Sequence, residues 1–199
     1  MEQSHRQHDL SDNEDEAHPP RPAPRIYVAS LSDYNAGRLF GRWIDAAAQP
    51  EELAEQIEAM LTEAPSPRAE EWAIHDYEGF RPLPLSEYED LATISRVAIG
   101  ITEHGEAFAH WAAIAGTSDV NELNRFEDTY LGLYDSVEAY AEMVLDDLGY
   151  LDAVDQAVPE GMQPYVSVDI AGFARDLVLS GDITTSEGSE GMYVFDMSR

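Results

Sequence analysis

Forty of the 199 residues are Asp or Glu, against 11 Lys and Arg. Any chemistry this chain performs is therefore carboxylate chemistry first. Two carboxylates held apart can serve as general acid and base in glycoside hydrolysis, but a chain this acidic makes pairs by chance. The segment "EHGEAFAH" (103–110) is the best candidate for a metal site. Its Glu106 and His110 stand four apart on one helix face, a spacing that can begin such a site. No second comparable pair stands out and H-E-x-x-H is absent, so ordinary helix surface residues remain the better reading. His5, His8 and His18 sit in a Pro-rich stretch without the fixed geometry that a metal demands. There is no Cys, which excludes disulfides and thiolate sites. P-loop, dinucleotide-binding and G-x-S-x-G signatures are missing. A carboxylate-dependent or metal hydrolase thus ranks last. The expectation is a protein that is not an enzyme and needs no cofactor.

What remains is the charge itself. The formal net charge is −29 and all 11 basic residues are Arg. Residues 119–199 hold 18 acids against three Arg. The run "DSVEAYAEMVLDDLGYLD" (135–152) has six carboxylates and no cation. Such a chain repels nucleic acid and anionic membrane, and its natural partner is a basic surface. Ordinary surfaces interleave both signs and stabilise helices by i, i+4 pairs. Here the neighbours at that spacing are often two acids: Glu51/Glu55, Glu138/Glu142 and Glu142/Asp146. Duplex DNA carries one phosphate per ~1.7 Å of axis, so the surplus outside the tail matches the charge of about 44 Å of duplex. From composition alone, three readings stay open: an imitation of DNA, a surface adapted to strong salt, or a generic acidic interaction protein with an unrelated partner.

The elements that must position these acids are legible in part. Hydrophobic residues make up 44% of the chain, enough for a core. Residues 1–25 are polar and Pro-rich and are expected to lack fixed structure. "RIYVASL" (25–31), "RLFGRWID" (38–45) and "EEWAIHDYEGF" (70–80) read as strands, with turn chemistry at "SDYNAG". Pro50 opens a helix that buries Leu53, Ile57 and Met60 or Leu61 and turns Glu51, Glu55 and Glu58 outward. Ser86 with Glu89 predicts a capped helix over 86–99. "EAFAHWAAIAG" predicts a second helix, and a short third carries Val120, Leu123 and Phe126, capped by Thr117 or Ser118. Asp135 starts a further helix that buries Val137, Ala141, Val144 and Leu148 and stacks Glu138, Glu142 and Asp146 outside. "YVSVDI" (165–170) reads as a strand, 171–181 as a helix and 191–197 as a final strand. The class is α+β, with a ββαβ unit at 26–80, a helical part at 81–134 and an α+β part at 135–199. No apolar run reaches membrane-spanning length and no signal peptide opens the chain, so a cytoplasmic location is expected.

Several of these segments resemble a known family. "IYVASLSDYNAGRLFGRWID", "EEWAIHDYEGF", "LSEYEDLATISRVAIGITEHGEAFAHWA", "FEDTYLGLYDSVEAYAEM" and "YVSVDIAGFARDLVLSGD" are similar to motifs of the ArdA-type antirestriction proteins, in the same order over about 26–197. The resemblance implies an elongated, three-part DNA mimic carried by mobile genetic elements. Such a protein occupies the DNA-binding groove of type I restriction–modification enzymes, protects incoming DNA and forms a homodimer through its C-terminal part. The family's stretch tied to antirestriction falls near 126–147. The N-terminal extension and "TSEGSEG" (185–191) depart from the family pattern. On this reading Tyr27, Leu31, Leu39, Trp43, Trp72, Ile74 and Tyr77 are core, and Gly37 and Gly41 serve turns or close packing. Asp33, Asp45, Asp76 and Glu78 are either mimic charges or local caps. The remaining surface candidates are Glu51, Glu55, Glu58, Glu127, Asp128, Asp135, Glu138, Glu142, Asp146 and Asp147. A surface that imitates a polyanion spreads its affinity, so no single acid should be essential.

Overall fold

The computed structural model describes residues 23–198. Most of the N-terminal extension, with His5, His8 and His18, lies outside the described residues. Two three-stranded sheets and a series of helices make a mixed α+β fold. The first sheet has the order β2-β1-β3 and is antiparallel throughout. It combines β1 (Arg25–Ser30), β2 (Gly41–Asp45) and β3 (Trp72–Glu78). Between β1 and β2 the expected turn is a one-turn helix, α1 (Leu31–Asn35), closed at Gly37 by a positive φ of 75°. A side chain at Gly41 would meet the Val28 carbonyl and the Tyr27 ring, so this position must stay small. Ile26, Val28, Ile44 and Ile74 face the core.

Helix α2 (Pro50–Thr62) forms as its pattern requires. Pro50 sits in the first turn, Glu52 accepts from the Gln49 N–H (3.4 Å), and Leu53, Ile57 and Met60 are buried. Helix α3 (Leu91–His104) begins later than expected. Its cap is Asp90, which accepts from the Thr93 N–H at 3.1 Å, whereas Ser86 and Glu89 bond each other's neighbourhood in a preceding turn. The capping-box pattern was real but closed a turn rather than a helix. Helix α4 (Glu106–Ala115) follows across Gly105, whose φ is 72°. The short helices α5 (Val120–Leu123) and α6 (Phe126–Thr129) come next, with Asp119 rather than Thr117 or Ser118 capping the first.

The second sheet departs most from the sequence reading. Its order is β4-β6-β5, with β4 (Tyr130–Tyr134), β5 (Ile183–Glu187) and β6 (Met192–Asp196). Strand β4 falls at the end of the stretch expected to be helical, and β5 overlaps the segment read as an insertion. The expected strand at 165–170 is absent. Tyr165 closes a 3-10 helix (Glu160–Tyr165), and residues 166–169 have no ladder partner. Asp169 instead caps α9 (Ile170–Ser180), accepting from the Gly172 N–H at 2.8 Å. Helix α7 (Val137–Asp147) is capped by Ser136, not Asp135, and Gly149 separates it from α8 (Tyr150–Ala157). Of the stripe expected inside α7 only Ala141 is fully buried, and Leu148 is 64% exposed.

One buried cluster runs from Ile26 and Ile44 through Ile94, Phe108 and Trp111 to Tyr193 and Phe195. The Trp111 ring lies 5.5 Å from that of Phe195, and its N–H bonds the Glu122 and Leu123 carbonyls. Helix α4 thus fastens the second sheet to the helices. A boundary at residue 134 would part β4 from β6, the strand it pairs with. Leu39 is corrected: expected in the core, it is 74% exposed on the loop before β2.

Candidate functional site

Two helices carry the acids that the sequence placed in rows. On α2, the buried stripe fixes Glu51, Glu55 and Glu58 on the open face, and all three are exposed. On α7, Glu138, Glu142 and Asp146 are exposed, and Asp147 beside them is as well. Each step of four residues advances a carboxylate by about 6 Å along the axis. None of these acids forms an ion pair among the described residues. Four arginines pair with other acids: Arg25 with Glu78 at 2.8 Å, Arg38 with Asp33 at 2.9 Å, Arg42 with Glu63 at 2.6 Å and Arg125 with Glu122 at 2.8 Å. The last turn of α7 contains no basic residue to answer the negative helix end. The rows are therefore fields of one sign.

The isolated candidates divide. Asp135, Glu127 and Asp128 are exposed. Asp45 and Asp76 are exposed and also close local turns, accepting from the N–H of Ala47 (3.0 Å) and of Tyr77 (2.8 Å). Glu78 is half-exposed and tied to Arg25, which also lies 4.6 Å from the Trp43 ring. Asp33 is corrected outright as a surface charge, because it is fully buried. Ser30 and Ser66 donate to its carboxylate at 2.8 and 2.9 Å, and Arg38 donates at 2.9 Å. Burial alone would raise its pKa. The hydrogen bonds from Ser30, Ser66 and Arg38, with the Arg38 charge, outweigh that and hold it below the usual value. Asp33 pins α1 to the loop after α2.

The Glu106/His110 pair does sit on one face, but not at the surface. His110 is 2% exposed, its Nδ1 is 2.6 Å from Ser186 Oγ, and its Nε2 is 3.4 Å from Glu106 Oε1. A carboxylate only accepts, so Nε2 carries the proton and Nδ1 accepts from Ser186. Both ring nitrogens are thus engaged, and the ring lies 4.4 Å from that of Tyr193, tilted 35° to it. Ser189 also donates to Glu106 at 3.2 Å. The cluster is a clamp between α4 and the β5–β6 hairpin. Burial lowers the His110 pKa, and the bond to Glu106 only partly opposes this. Among the described residues no group of three or more His, Asp and Glu is placed to hold a metal ion.

Sequence reasoning counted Asp152 in the acidic run without giving it an element and missed Asp155; both are exposed on α8. Their helical spacing was the available signal, hidden because α8 itself was not recognised. It also missed the apolar residues left open in the C-terminal part. Tyr150 (58%), Tyr165 (81%) and Leu179 (75%) are exposed there, with Leu148 and Met162. No helix among the described residues is long and apolar enough to cross a membrane.

No curated protein matches the chain. A family profile described as "Antirestriction protein (ArdA)" matches residues 26–191, which takes in both sheets up to the turn before β6 and every helix described above. The chain belongs to the ArdA family of antirestriction proteins.

Proposed function

We propose that this antirestriction protein is a DNA mimic that occupies the DNA-binding groove in the methyltransferase core of type I restriction–modification enzymes. It thereby shields incoming mobile DNA in the cytoplasm. The observation that carries the reading is the pair of exposed, cation-free acidic rows on α2 and α7. A groove built for phosphates gains from such rows as it gains from DNA, by shedding bound counterions. Glu127, Asp128, Asp135, Asp147, Asp45 and Asp76 add to the field, and Glu78 contributes what Arg25 leaves. Affinity is shared among these groups, and neither a cofactor nor a bond-making step is involved.

The protein acts as a homodimer joined through its C-terminal part. The support is the apolar surface left open on α8, the 3-10 helix and α9, led by Tyr165 and Leu179. Such surface is costly to leave in water.

Competition against duplex DNA on a type I methyltransferase core tests the function. The expected result is displacement of DNA that weakens as salt rises, by a protein that stays folded at about 0.1 M salt. Failure to displace DNA would overturn the reading. Loss of structure at low salt would favour a surface adapted to strong salt instead.

A further inference from the structure

A cleft of about 460 Å³ opens where the start of α2, one face of α3 and the α5–α6 junction meet. Ile99, Leu123 and the rings of Phe108 and Phe126 give it an apolar side. A Cβ at Gly100 would collide with the Phe108 ring, so the glycine lets α4 close against this wall. Arg96 lines the cleft and is half-buried. Its place is fixed, because Ser95 beside it donates to the Ala48 carbonyl at 2.7 Å and ties this turn of α3 to the entry of α2. Yet Arg96 has no hydrogen bond or ion pair among the described residues. Glu103 and Glu127 line the same cleft without pairing with it. Glu103 stands seven residues further along α3, about 10 Å by helical rise, and lies 3.9 Å from His104 instead. Arg68, Arg81 and Arg175 also lack an ion pair among the described residues, but all three are exposed. A chain with 40 acids thus brings none to its half-buried Arg96. The cleft borders the acidic field: Pro50 precedes Glu51 of the α2 row, and Glu127 is one of the field's own acids.

We propose that Arg96 receives a carboxylate of the target enzyme's DNA-binding groove, at a point where that groove reads a base and not a phosphate. The proposal rests on the DNA-mimic reading and refines it. A groove that recognises sequence holds base-reading groups among its cations, and Asp or Glu read cytosine by accepting from its amino group. Duplex DNA meets such a carboxylate with an N–H donor. An unbroken acidic surface would meet it with like charge, which costs affinity. A guanidinium answers it with two parallel N–H donors in a planar fork. Half-burial beside apolar side chains shields that contact from solvent and salt more than an exposed pair would be.

The sign of a charge change tests this. Competition with duplex DNA on a type I methyltransferase core compares the wild type with Arg96→Met, Arg96→Glu and Arg68→Met. For a plain polyanion, each lost cation leaves binding unchanged or tightens it, and Arg96→Glu binds best. The expected result is the reverse at position 96: Arg96→Met weakens competition by about tenfold or more, Arg96→Glu weakens it further, and Arg68→Met does not weaken it. Arg96→Met or Arg96→Glu competing as well as the wild type would overturn the proposal, and so would an equal loss in Arg68→Met. Thermal unfolding of Arg96→Met should match that of the wild type, and a binding loss that only follows lost structure would overturn it too. Failure of the wild type to displace DNA would remove the mimic reading and this inference together. Weakening by loss of the α7 acids, with none in Arg96→Met, would remove this inference alone.

Discussion

Neutralising the α7 row should strengthen the fold while weakening binding. The perturbation is the triple variant Glu138→Gln, Glu142→Gln, Asp146→Asn. The row contains two i, i+4 acid pairs, and each repels by about 0.2–0.5 kcal/mol in an exposed helix. Glu138 lies in the first turn, where a negative charge helps, and Asp146 lies in the last, where it hurts. The two dipole contributions, about 0.3–1 kcal/mol each, are opposite and nearly cancel. The variant therefore gains about 0.4–1 kcal/mol by relief of repulsion. In a chain of this size that raises Tm by roughly 1–4 °C at low salt. Each exposed charge contributes about 0.2–1 kcal/mol to binding a basic groove, so the triple loses about 0.6–3 kcal/mol. That corresponds to about threefold to 150-fold in competition with DNA. The dependence of log affinity on log salt should become shallower, by up to about one per charge removed. Thermal unfolding and the competition assay read the two effects separately. Unchanged affinity and salt slope would remove α7 from the interface. Complete loss from Glu142→Gln alone would point to a local site instead of a distributed one.

Other consequences are equally specific. Asp33→Asn should lower the denaturant midpoint, because the charge facing Arg38 is lost and one of the two oxygens that accept from Ser30, Ser66 and Arg38 becomes a donor. Competition with DNA per folded molecule should be unchanged, and a selective loss of binding would return Asp33 to the surface. The Asp33 carboxylate is depressed in the folded state, so its stabilisation is present above the unfolded value of 3.8 and is lost as pH falls through the folded one. His110 is depressed as well, but for a base the unfolded chain then binds the extra proton. Its stabilisation is complete above 6.5 and erodes as pH drops from there toward the folded value. Denaturant titrations between pH 7.5 and 5 should show this slope in the wild type and a flatter one in His110→Gln. Leu179→Glu should shift the sedimentation profile toward monomer without altering helix content. A profile unchanged over a wide concentration range would exclude α9 from the dimer contact.

Much of this protein was legible before any fold was known. Sign and excess of charge come directly from composition, as does the absence of thiol chemistry. The acidic rows on α2 and α7 follow from helical periodicity, because a residue's face depends only on its neighbours within two turns. Pro50 and Gly149 likewise act locally, by fixing or freeing φ. Family motifs identified the chain for the same reason, since they are linear.

Tertiary structure decided whatever depends on distant partners. "YLGLY" became a strand because β6, some 60 residues on, offers it a ladder, while "YVSVDI" alternates as a strand should and finds none. Asp33 looks like any surface acid in the sequence. It is buried because Ser66, 33 residues away, and Arg38 close over it. Leu39 had the opposite fate, left in water on a loop. Pairing and burial are properties of what comes to lie opposite a residue, and one-dimensional patterns do not carry that information.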